Sequence, residues 1–286
     1  MDDQTILQRI RNGIQKDASL LTGCMDIYRA TGNPLYREEA LRFLASAVSP
    51  EGEMAVPDQD ALSYGRALFF AWDETGEERF KAAAVRLASG LKAGTLPENP
   101  RQIGNALPFL AECDTRFGDK QAYRTVANHA KMLREKHFDP EKKLYFFKNS
   151  EEKALENEAL LLSALADTAE KLDEQLYEHY RAVADLFLEA VKGLLSHQTG
   201  PSALFSSHIA EPEETLSFKD NLTVCRALLK GVRLGILDEE KYLPIARAMM
   251  AELQSACASQ MPDPDFPAPL GLQLMAEAEF KEVQKQ

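Results

Sequence analysis

The sequence predicts an all-α protein, an (α/α)6 barrel in which about twelve helices pair into six hairpins. Three observations lead to this prediction. Apolar residues recur every three or four positions, as in Phe80, Ala84, Leu87 and Leu91, with charged residues between them. Alternating β-branched stretches are almost absent. Helix–turn–helix units repeat along the chain.

The repeat is clearest between residues 30–46 and 74–89, and a weaker copy lies at 116–133. In each unit a helix ends near a glycine, and the next helix begins with acidic residues. These residue types suit the unpaired carbonyls and amides at helix ends. Aromatic residues 44 and 43 positions apart mark equivalent places in the three copies: Tyr36, Phe80 and Tyr123.

Twelve helices in hairpins form either an open solenoid or a closed ring of six pairs. The irregular repeat length and an apolar last segment favour the ring, in which the first and last helices would pair. Residues 1–286 then form a single barrel domain. The predicted helices span 3–13, 17–30, 34–48, 59–74, 76–93, 102–116, 118–136, 154–169, 172–195, 216–235, 238–258 and 267–283.

Alternate helices form the inner wall of such a barrel, and their N-termini gather at one mouth. Backbone amides and the positive ends of the helix dipoles favour anionic groups there. We therefore expect residues that form a pocket at the starts of the inner helices. The polar residues at these starts are Asp58, Asp60, Arg101, Asn105, Glu156, Asn157, Ser217, Lys219 and Asp220.

Composition limits the partners and the compartment. The net charge of −12 argues against nucleic acid or an anionic membrane as the main partner. The first fifteen residues lack the apolar region of a secretory signal, and no apolar run approaches the roughly 18 residues of a membrane span. The four cysteines are scattered, which is typical of reduced thiols. A cytoplasmic protein is predicted, with its oligomeric state left open.

The histidines do not suggest a metal site. His129 and His179 fall within predicted outer helices, and His137 falls at a helix end, where packing or capping explains them. His197 and His208 flank a loop that can reach the mouth, but no third ligand accompanies them. Phosphate-binding and nucleophile motifs are missing from the sequence. No cofactor and no metal are expected.

Five stretches follow one another in a recognisable order. They are LTGCMDIYRATGNPLY, DQDALSYGRALFFAWDETGEERFKAAA, PFLAECDTRFGD, FDPEKKLYFF and ALLKGVRLGILDEEKYLPIA. Together they resemble the unsaturated uronyl hydrolases of glycoside hydrolase families 88 and 105, which include unsaturated rhamnogalacturonyl hydrolases. The resemblance covers roughly residues 17–255 and implies an (α/α)6 barrel.

The resemblance also implies a reaction. These enzymes remove a 4,5-unsaturated uronic acid from the end of an oligosaccharide by hydrating its double bond. An aspartate donates a proton to the alkene and activates a water, and the hemiketal that results then opens. Carboxylates, with aromatic and basic groups to hold the sugar and its own carboxylate, should lie at the mouth.

The family residues are only partly present. The family pattern Leu-Asp-x-Ile-x-x-Gly-(Arg/Lys) falls on QDALSYGR, which implies that Asp60 is catalytic. The second family aspartate, which precedes a Pro-Phe pair, has no counterpart. Arg101 stands in its place, unless the loop that carries it is deleted. The tryptophan-rich sugar platform falls near KALENEALLL, without tryptophan, and the single tryptophan, Trp72, is predicted to lie in the core.

Two functions therefore stay open. One is a hydrolase that acts on a small acidic oligosaccharide, using Asp60 with a substitute acid such as Glu156 or Asp220, or with Glu158. Arg101 would then bind the substrate carboxylate. The other is an inactive barrel that binds a carbohydrate or a protein partner. The residues expected to bind substrate are Arg101, Asn105, Glu156, Asn157, Lys219, Asp220 and His208.

Overall fold

The computed structural model describes nine stretches of the chain, and almost all of their regular structure is helical. None of the helices in these stretches is both long enough and apolar enough to cross a bilayer. The described residues are 3–15, 17–56, 58–93, 96–118, 120–147, 154–198, 202–206, 217–259 and 268–285.

Each predicted helix is present with ends within five residues of its predicted bounds, and one of them is divided. The bounds are α1 Asp3–Gly13, α2 Ala18–Thr31, α3 Pro34–Ala47, α4 Asp58–Ala61, α5 Gly65–Thr75, α6 Glu78–Ala93, α7 Pro100–Phe117, α8 Ala122–His137, α9 Ala154–Ala169, α10 Tyr177–Leu195, α11 Phe218–Arg233, α12 Glu239–Ser259 and α13 Ala268–Val283.

The divided helix is the one predicted at 59–74. A 3-10 turn, Leu62–Tyr64, separates the short helix α4 from α5. Tyr64 is buried at this turn and packs against Phe43, with the ring centroids 5.4 Å apart. Turns of this tighter kind are common at the beginnings of α-helices.

The repeated Thr-Gly turn explains why successive hairpins look alike. Gly32 and Gly76 end α2 and α5 in the left-handed conformation, each with φ of 71°. The hydroxyls of the preceding threonines, Thr31 and Thr75, donate to backbone carbonyls one turn earlier, at 2.6 and 2.7 Å. The same local contacts therefore stop a helix twice, 44 residues apart.

The chain contacts divide into two compact units. The first unit comprises Met1–Ala93 and Ser259–Gln286. Its most extensive helix–helix packing is between α13 and α2. Two glycines allow the backbones to approach: a Cβ on Gly23 would lie 2.7 Å from the Gly271 carbonyl oxygen. The sequence predicts the last helix beside the first, but the structure packs it mainly along α2. Helix α1 lies against α2 and α3.

The second unit comprises Gly94–Ala258. Helix α9 contacts α7, α10 and α11, and α10 also contacts α8. Helix α12 reaches α11 where the Cys225 thiol lies 3.5 Å from the carbonyl oxygen of Ala246. The single domain predicted for residues 1–286 stays a prediction.

A small β-hairpin in the second unit was not predicted. Strands β1 Phe138–Asp139 and β2 Leu144–Tyr145 pair antiparallel. The Asp139 carboxylate accepts hydrogen bonds from two backbone amides of the turn, and Lys143 completes the turn with φ of 57°. The hairpin rests on α10 at Gly193, where a Cβ would lie 1.9 Å from the Lys143 carbonyl oxygen.

The core confirms the aromatic positions of the repeat and corrects one other assignment. Tyr36, Phe80 and Tyr123 are all buried. Trp72, predicted to lie in the core, is instead half-buried. Its indole nitrogen lies 3.5 Å from a Glu78 carboxylate oxygen, and the Lys81 ammonium lies 5.7 Å from its ring centroid. Glu78 and Lys81 belong to α6, so the Trp72 ring packs at the solvent-facing side of the α5–α6 hairpin.

Three of the cysteines, Cys24, Cys113 and Cys225, are free and buried, as the scattered spacing predicts. Burial raises the pKa of Cys24 and of Cys225 to about 12. The side chain of the fourth cysteine, Cys257, lies outside the described residues.

Candidate functional site

Helix α7 begins at a well-defined cap. The Asn99 carboxamide oxygen accepts a hydrogen bond from the Arg101 amide at 3.1 Å, and Pro100 occupies the first helical position. The Asn99 carbonyl oxygen also accepts from the Ile103 amide at 2.9 Å. The backbone that carries Arg101 is therefore fixed by local contacts.

The segment that leads into α7 is held by α8. His129 lies 2.8 Å from the Pro97 carbonyl oxygen through its Nε2 atom, and Lys136 binds the Glu98 carboxylate at 2.7 Å. Burial lowers the pKa of His129, which favours the neutral ring, and Nε2 is the donor because a carbonyl oxygen can only accept. His129 thus has a structural role, as its position in an outer helix predicts.

Helix α11 begins beside a second anchored segment. Ser217 caps the helix, and its hydroxyl accepts from the Asp220 amide at 3.3 Å. The buried Asn221 carboxamide donates to the carbonyls of Phe205 and Ser217 and accepts from the Phe205 amide, at 2.8 to 3.0 Å. Every polar atom of that carboxamide contributes to fixing the start of α11.

The starts of α7, α9 and α11 meet in an ionic cluster. Arg101 Nη2 lies 3.0 Å from Glu156 Oε1, and Lys219 Nζ lies 3.9 Å from the same oxygen. Asp220 follows Lys219 and interacts electrostatically with Glu156, Lys219 and Arg101. These four residues are named the helix-start cluster. The sequence prediction that these helix starts gather is confirmed within the second unit.

Asp220 has the most unusual environment in the helix-start cluster. Its residue surface is only 9% exposed, and this burial raises the pKa of the Asp220 carboxyl. A hydrogen bond with Ser217 lowers this pKa, and so do the positive charges of Lys219 and Arg101. The negative charge of Glu156 raises it further. The carboxyl can therefore hold a proton at a higher pH than an exposed aspartate.

The two cations of the helix-start cluster remain accessible. The Arg101 side chain is 57% exposed and the Lys219 side chain is 35% exposed, although both contact Glu156. An exposed guanidinium beside an ammonium can bind a carboxylate from solution. The cluster thus combines an accessible anion-binding pair with a buried carboxyl.

The remaining predicted site residues are placed differently. Asn105 lies one turn after Arg101 on α7, and Asn157 follows Glu156 on α9; both are half-buried. Asp60 is an exposed residue of α4 in the first unit, and it contributes, after burial and Asp17, to a raised pKa of Tyr64. His208 lies outside the described residues.

Glu158 does not join the helix-start cluster. It is fully buried, and its carboxylate accepts a hydrogen bond from the backbone amide of Tyr145 on β2. Burial raises the pKa of Glu158 to about 8, so the residue is largely protonated at neutral pH. Its position two residues after Glu156 turns it to another side of α9, toward the hairpin.

His197 also serves the hairpin. Its Nε2 atom lies 2.6 Å from the Lys142 carbonyl oxygen in the turn between β1 and β2. The loop that His197 precedes is fixed farther on by Glu252, whose carboxylate accepts from Ser202 and from the Ala203 amide, each at 2.7 Å. His197 therefore makes a structural contact.

A buried ionic network between α9 and α11 was not predicted from the sequence. Both Arg226 and Lys230 bind the Asp167 carboxylate, at 2.8 and 2.6 Å, and Lys230 also binds Glu170 at 3.0 Å. Burial opposes ionisation of Glu170, but Lys230, Lys171 and Arg233 hold its pKa well below the usual value. The sequence does carry one indication of this network, because three basic residues lie on one face of an otherwise apolar helix: Arg226, Lys230 and Arg233.

Within the described ranges, histidine, cysteine and acidic side chains nowhere gather in a group of three or more that could hold a metal ion.

The repeated helical hairpins are typical of a six-hairpin helical barrel, and the solved structures to which this chain is similar have that fold. A family 105 glycoside hydrolase from C. acetobutylicum is similar over 98% of this chain and 99% of its own, at 17% identity and a TM-score of 0.80. A family 88 glycosyl hydrolase from Bacteroides vulgatus is 14% identical over 97% of each chain, with a TM-score of 0.78. The predicted fold is confirmed.

A third similar structure is the unsaturated glucuronyl hydrolase of Bacillus sp. GL1, described as responsible for degradation of glycosaminoglycan. It is 16% identical over 96% of this chain and 94% of its own, with a TM-score of 0.64. A sequence comparison with curated proteins finds no match.

The profile of glycosyl hydrolase family 88 matches residues 103–263, which is more than half of the sequence. The chain belongs to glycosyl hydrolase family 88. The resemblance to families 88 and 105 that the sequence motifs indicate is thereby confirmed.

Proposed function

We propose that this chain is a hydrolase that acts on small acidic oligosaccharides ending in an unsaturated uronic acid, and that it hydrates the alkene. Membership of family 88 supports the reaction class. The observation that carries the proposal is the helix-start cluster, in which Arg101 and Lys219 share one carboxylate partner, Glu156.

A substrate carboxylate can replace part of that internal contact. Arg101 presents a planar pair of donors, which suits bidentate binding of a carboxylate, and Lys219 adds a second positive charge. The positive dipole ends of three helices add to the favourable potential for an anion in the same place. Arg101 would then hold the substrate where the resemblance leads us to expect a catalytic acid, with Asn105 and Asn157 as further polar contacts.

The reaction needs an acid as well as a binding site. The resemblance implies Asp60 as one catalytic carboxylate, and Glu156 or Asp220 is the substitute for the second. A carboxyl gives its proton to the alkene, water adds to the carbon next to the ring oxygen, and the resulting hemiketal opens. The proposed chemistry uses water and side-chain carboxyl groups.

The test is incubation of the protein with unsaturated uronyl di- and trisaccharides, following loss of the ultraviolet absorbance of the alkene. We expect turnover by the wild type and its loss in Asp60→Asn. Arg101→Gln should raise KM by about tenfold or more, because a charge-assisted contact is lost. Arg181→Gln changes an exposed arginine on α10 and serves as the matched control.

Absence of turnover on all these substrates would contradict the proposal. Saturable binding of the same oligosaccharides without turnover, measured by calorimetry, would instead identify the inactive carbohydrate-binding barrel that the sequence leaves open. Wild-type activity in Asp60→Asn would remove Asp60 from the mechanism and leave the reaction class intact.

A further inference from the structure

The two acids of the helix-start cluster differ in their surroundings. Glu156 is in direct ionic contact with Arg101 and Lys219, and its side chain is 25% exposed. Asp220 is almost completely enclosed, and its carboxyl is hydrogen-bonded with Ser217. Burial favours the protonated form of the Asp220 carboxyl, whereas Glu156 lies between two cations at the more open side of the cluster.

We propose that Asp220 is the catalytic acid that protonates the alkene of the bound unsaturated uronide, replacing the aspartate for which this chain has Arg101. The inference rests on the proposed function and selects one of its two substitute acids. Glu156 is then the counter-charge that holds Arg101 and Lys219 in place before the substrate carboxylate arrives.

The proposed step balances without another reactant. The O–H bond of the Asp220 carboxyl breaks as the alkene π electrons form a new C–H bond at C4, which leaves an oxocarbenium ion at C5. A water oxygen bonds to C5 and releases a proton to the Asp220 carboxylate, which restores the acid. The product is a hemiketal, and its opening needs no further catalyst from the cluster.

Substrate binding prepares Asp220 for this role. Glu156 already contributes to the raised pKa of Asp220. A bound substrate carboxylate brings another negative charge close to Asp220 and favours its protonated form still more. After the proton leaves, the amides at the start of α11 stabilise the carboxylate. The start of α11 is held rigidly by Asn221 and Phe205, so the acid is fixed in position.

The competing explanation is structural: an acidic residue three positions after Ser217 is a common arrangement in a helix cap. Asp220→Asn separates the two roles because it preserves shape. We expect kcat to fall by about 100-fold or more, as for loss of a general acid, with KM changed by less than about threefold. Asp185→Asn, on the exposed face of α10, is the matched control and should retain wild-type kcat.

The pH profile of kcat gives a readout that a capping role would not change. In the wild type, kcat should fall at high pH as Asp220 ionises. Glu156→Gln removes a charge that raises the pKa of Asp220, so the alkaline limb should move to lower pH. Lys219→Met removes a charge that lowers this pKa, so the limb should move to higher pH. These opposite shifts remain measurable even if Asp220→Asn fails to fold.

The outcomes separate the inference from the proposed function. A wild-type enzyme that turns over, with an Asp220→Asn variant of equal kcat or with an alkaline limb that neither charge change moves, overturns the role of Asp220 alone. A wild type without turnover overturns both. Loss of kcat in folded Asp220→Asn, together with the opposite shifts of the limb, supports the assignment.

Discussion

Glu158 is a buried carboxyl whose protonation couples folding to pH. Its pKa is raised from 4.5 to about 8 in the folded chain, chiefly by burial, although the Tyr145 amide bonds to it. The folded state therefore keeps a proton that the unfolded state loses above pH 4.5. Stability from this residue declines as pH rises from about 4.5 to about 8, because the unfolded state binds fewer protons in that range.

Replacement of Glu158 by glutamine should flatten this dependence. Glutamine keeps an acceptor for the Tyr145 amide but does not ionise, so the fall of the urea midpoint between pH 4.5 and about 8 should become shallower. Glu141→Gln, an exposed change in the hairpin turn, is the control and should keep the wild-type slope. An unchanged slope in Glu158→Gln would show that another group controls the titration.

The membership of the helix-start cluster could be predicted from the sequence, but the surroundings of its side chains could not. Arg101, Glu156, Lys219 and Asp220 were predicted to meet because each lies at the start of a helix of the same predicted ring. Such positions depend on helix boundaries, which capping residues mark clearly. The burial of Asp220 and the contact of Glu158 with Tyr145 depend on side-chain packing, for which the sequence holds no local signal.

Between α9 and α11, the ionic network stabilises the packing of two apolar helices. Asp167 forms ion pairs with both Arg226 and Lys230, and the Lys230 side chain is only 2% exposed. Asp167→Ala would leave these cations without their shared partner in the interior. We expect the free energy of unfolding to fall by about 3–5 kcal/mol, measured by urea denaturation.

The matched control for this network is an exposed ion pair. Asp185→Ala removes the partner of Arg181 on α10, where both side chains are more than half exposed. Its effect should stay below about 1 kcal/mol, because solvent screens such pairs. Equal effects of Asp167→Ala and Asp185→Ala would mean that the buried network contributes little.

Hairpin and helix meet at Gly193, where the backbone of one element touches the backbone of the other. Gly193→Ala would place its Cβ 1.9 Å from the Lys143 carbonyl oxygen, so the hairpin must move. We expect a lower thermal midpoint, since backbone cannot rotate away as a flexible side chain can.

Gly90→Ala is the opposite case within a helix. A Cβ at Gly90 meets nothing within 4 Å on α6, so alanine should stabilise the protein by about 0.5–1 kcal/mol through helix propensity. Calorimetry of both variants measures the contrast. A Gly193→Ala protein as stable as Gly90→Ala would show that the hairpin is not seated on α10 as described.

Across the whole chain, features that depend on neighbouring residues could be predicted better than contacts between residues far apart in the sequence. The Thr-Gly turns, the N-terminal caps and the apolar stripes fix where helices start and stop, so the helices and the barrel could be predicted. The partner of α13 could not, because its approach to α2 depends on Gly23 and Gly271 meeting across the length of the sequence. The hairpin at 138–145 is too short to show a strand pattern.

The pairing of α2 with α13 also has a consequence for biosynthesis. The Lys285 ammonium binds the carbonyl oxygen of Ala30, 255 positions earlier in the chain, at 2.8 Å. A ribosome delivers residues 94–258 as one uninterrupted stretch before it delivers α13. The contacts within residues 94–258 can therefore form first, while the glycine-containing face of α2 stays exposed until α13 has been translated.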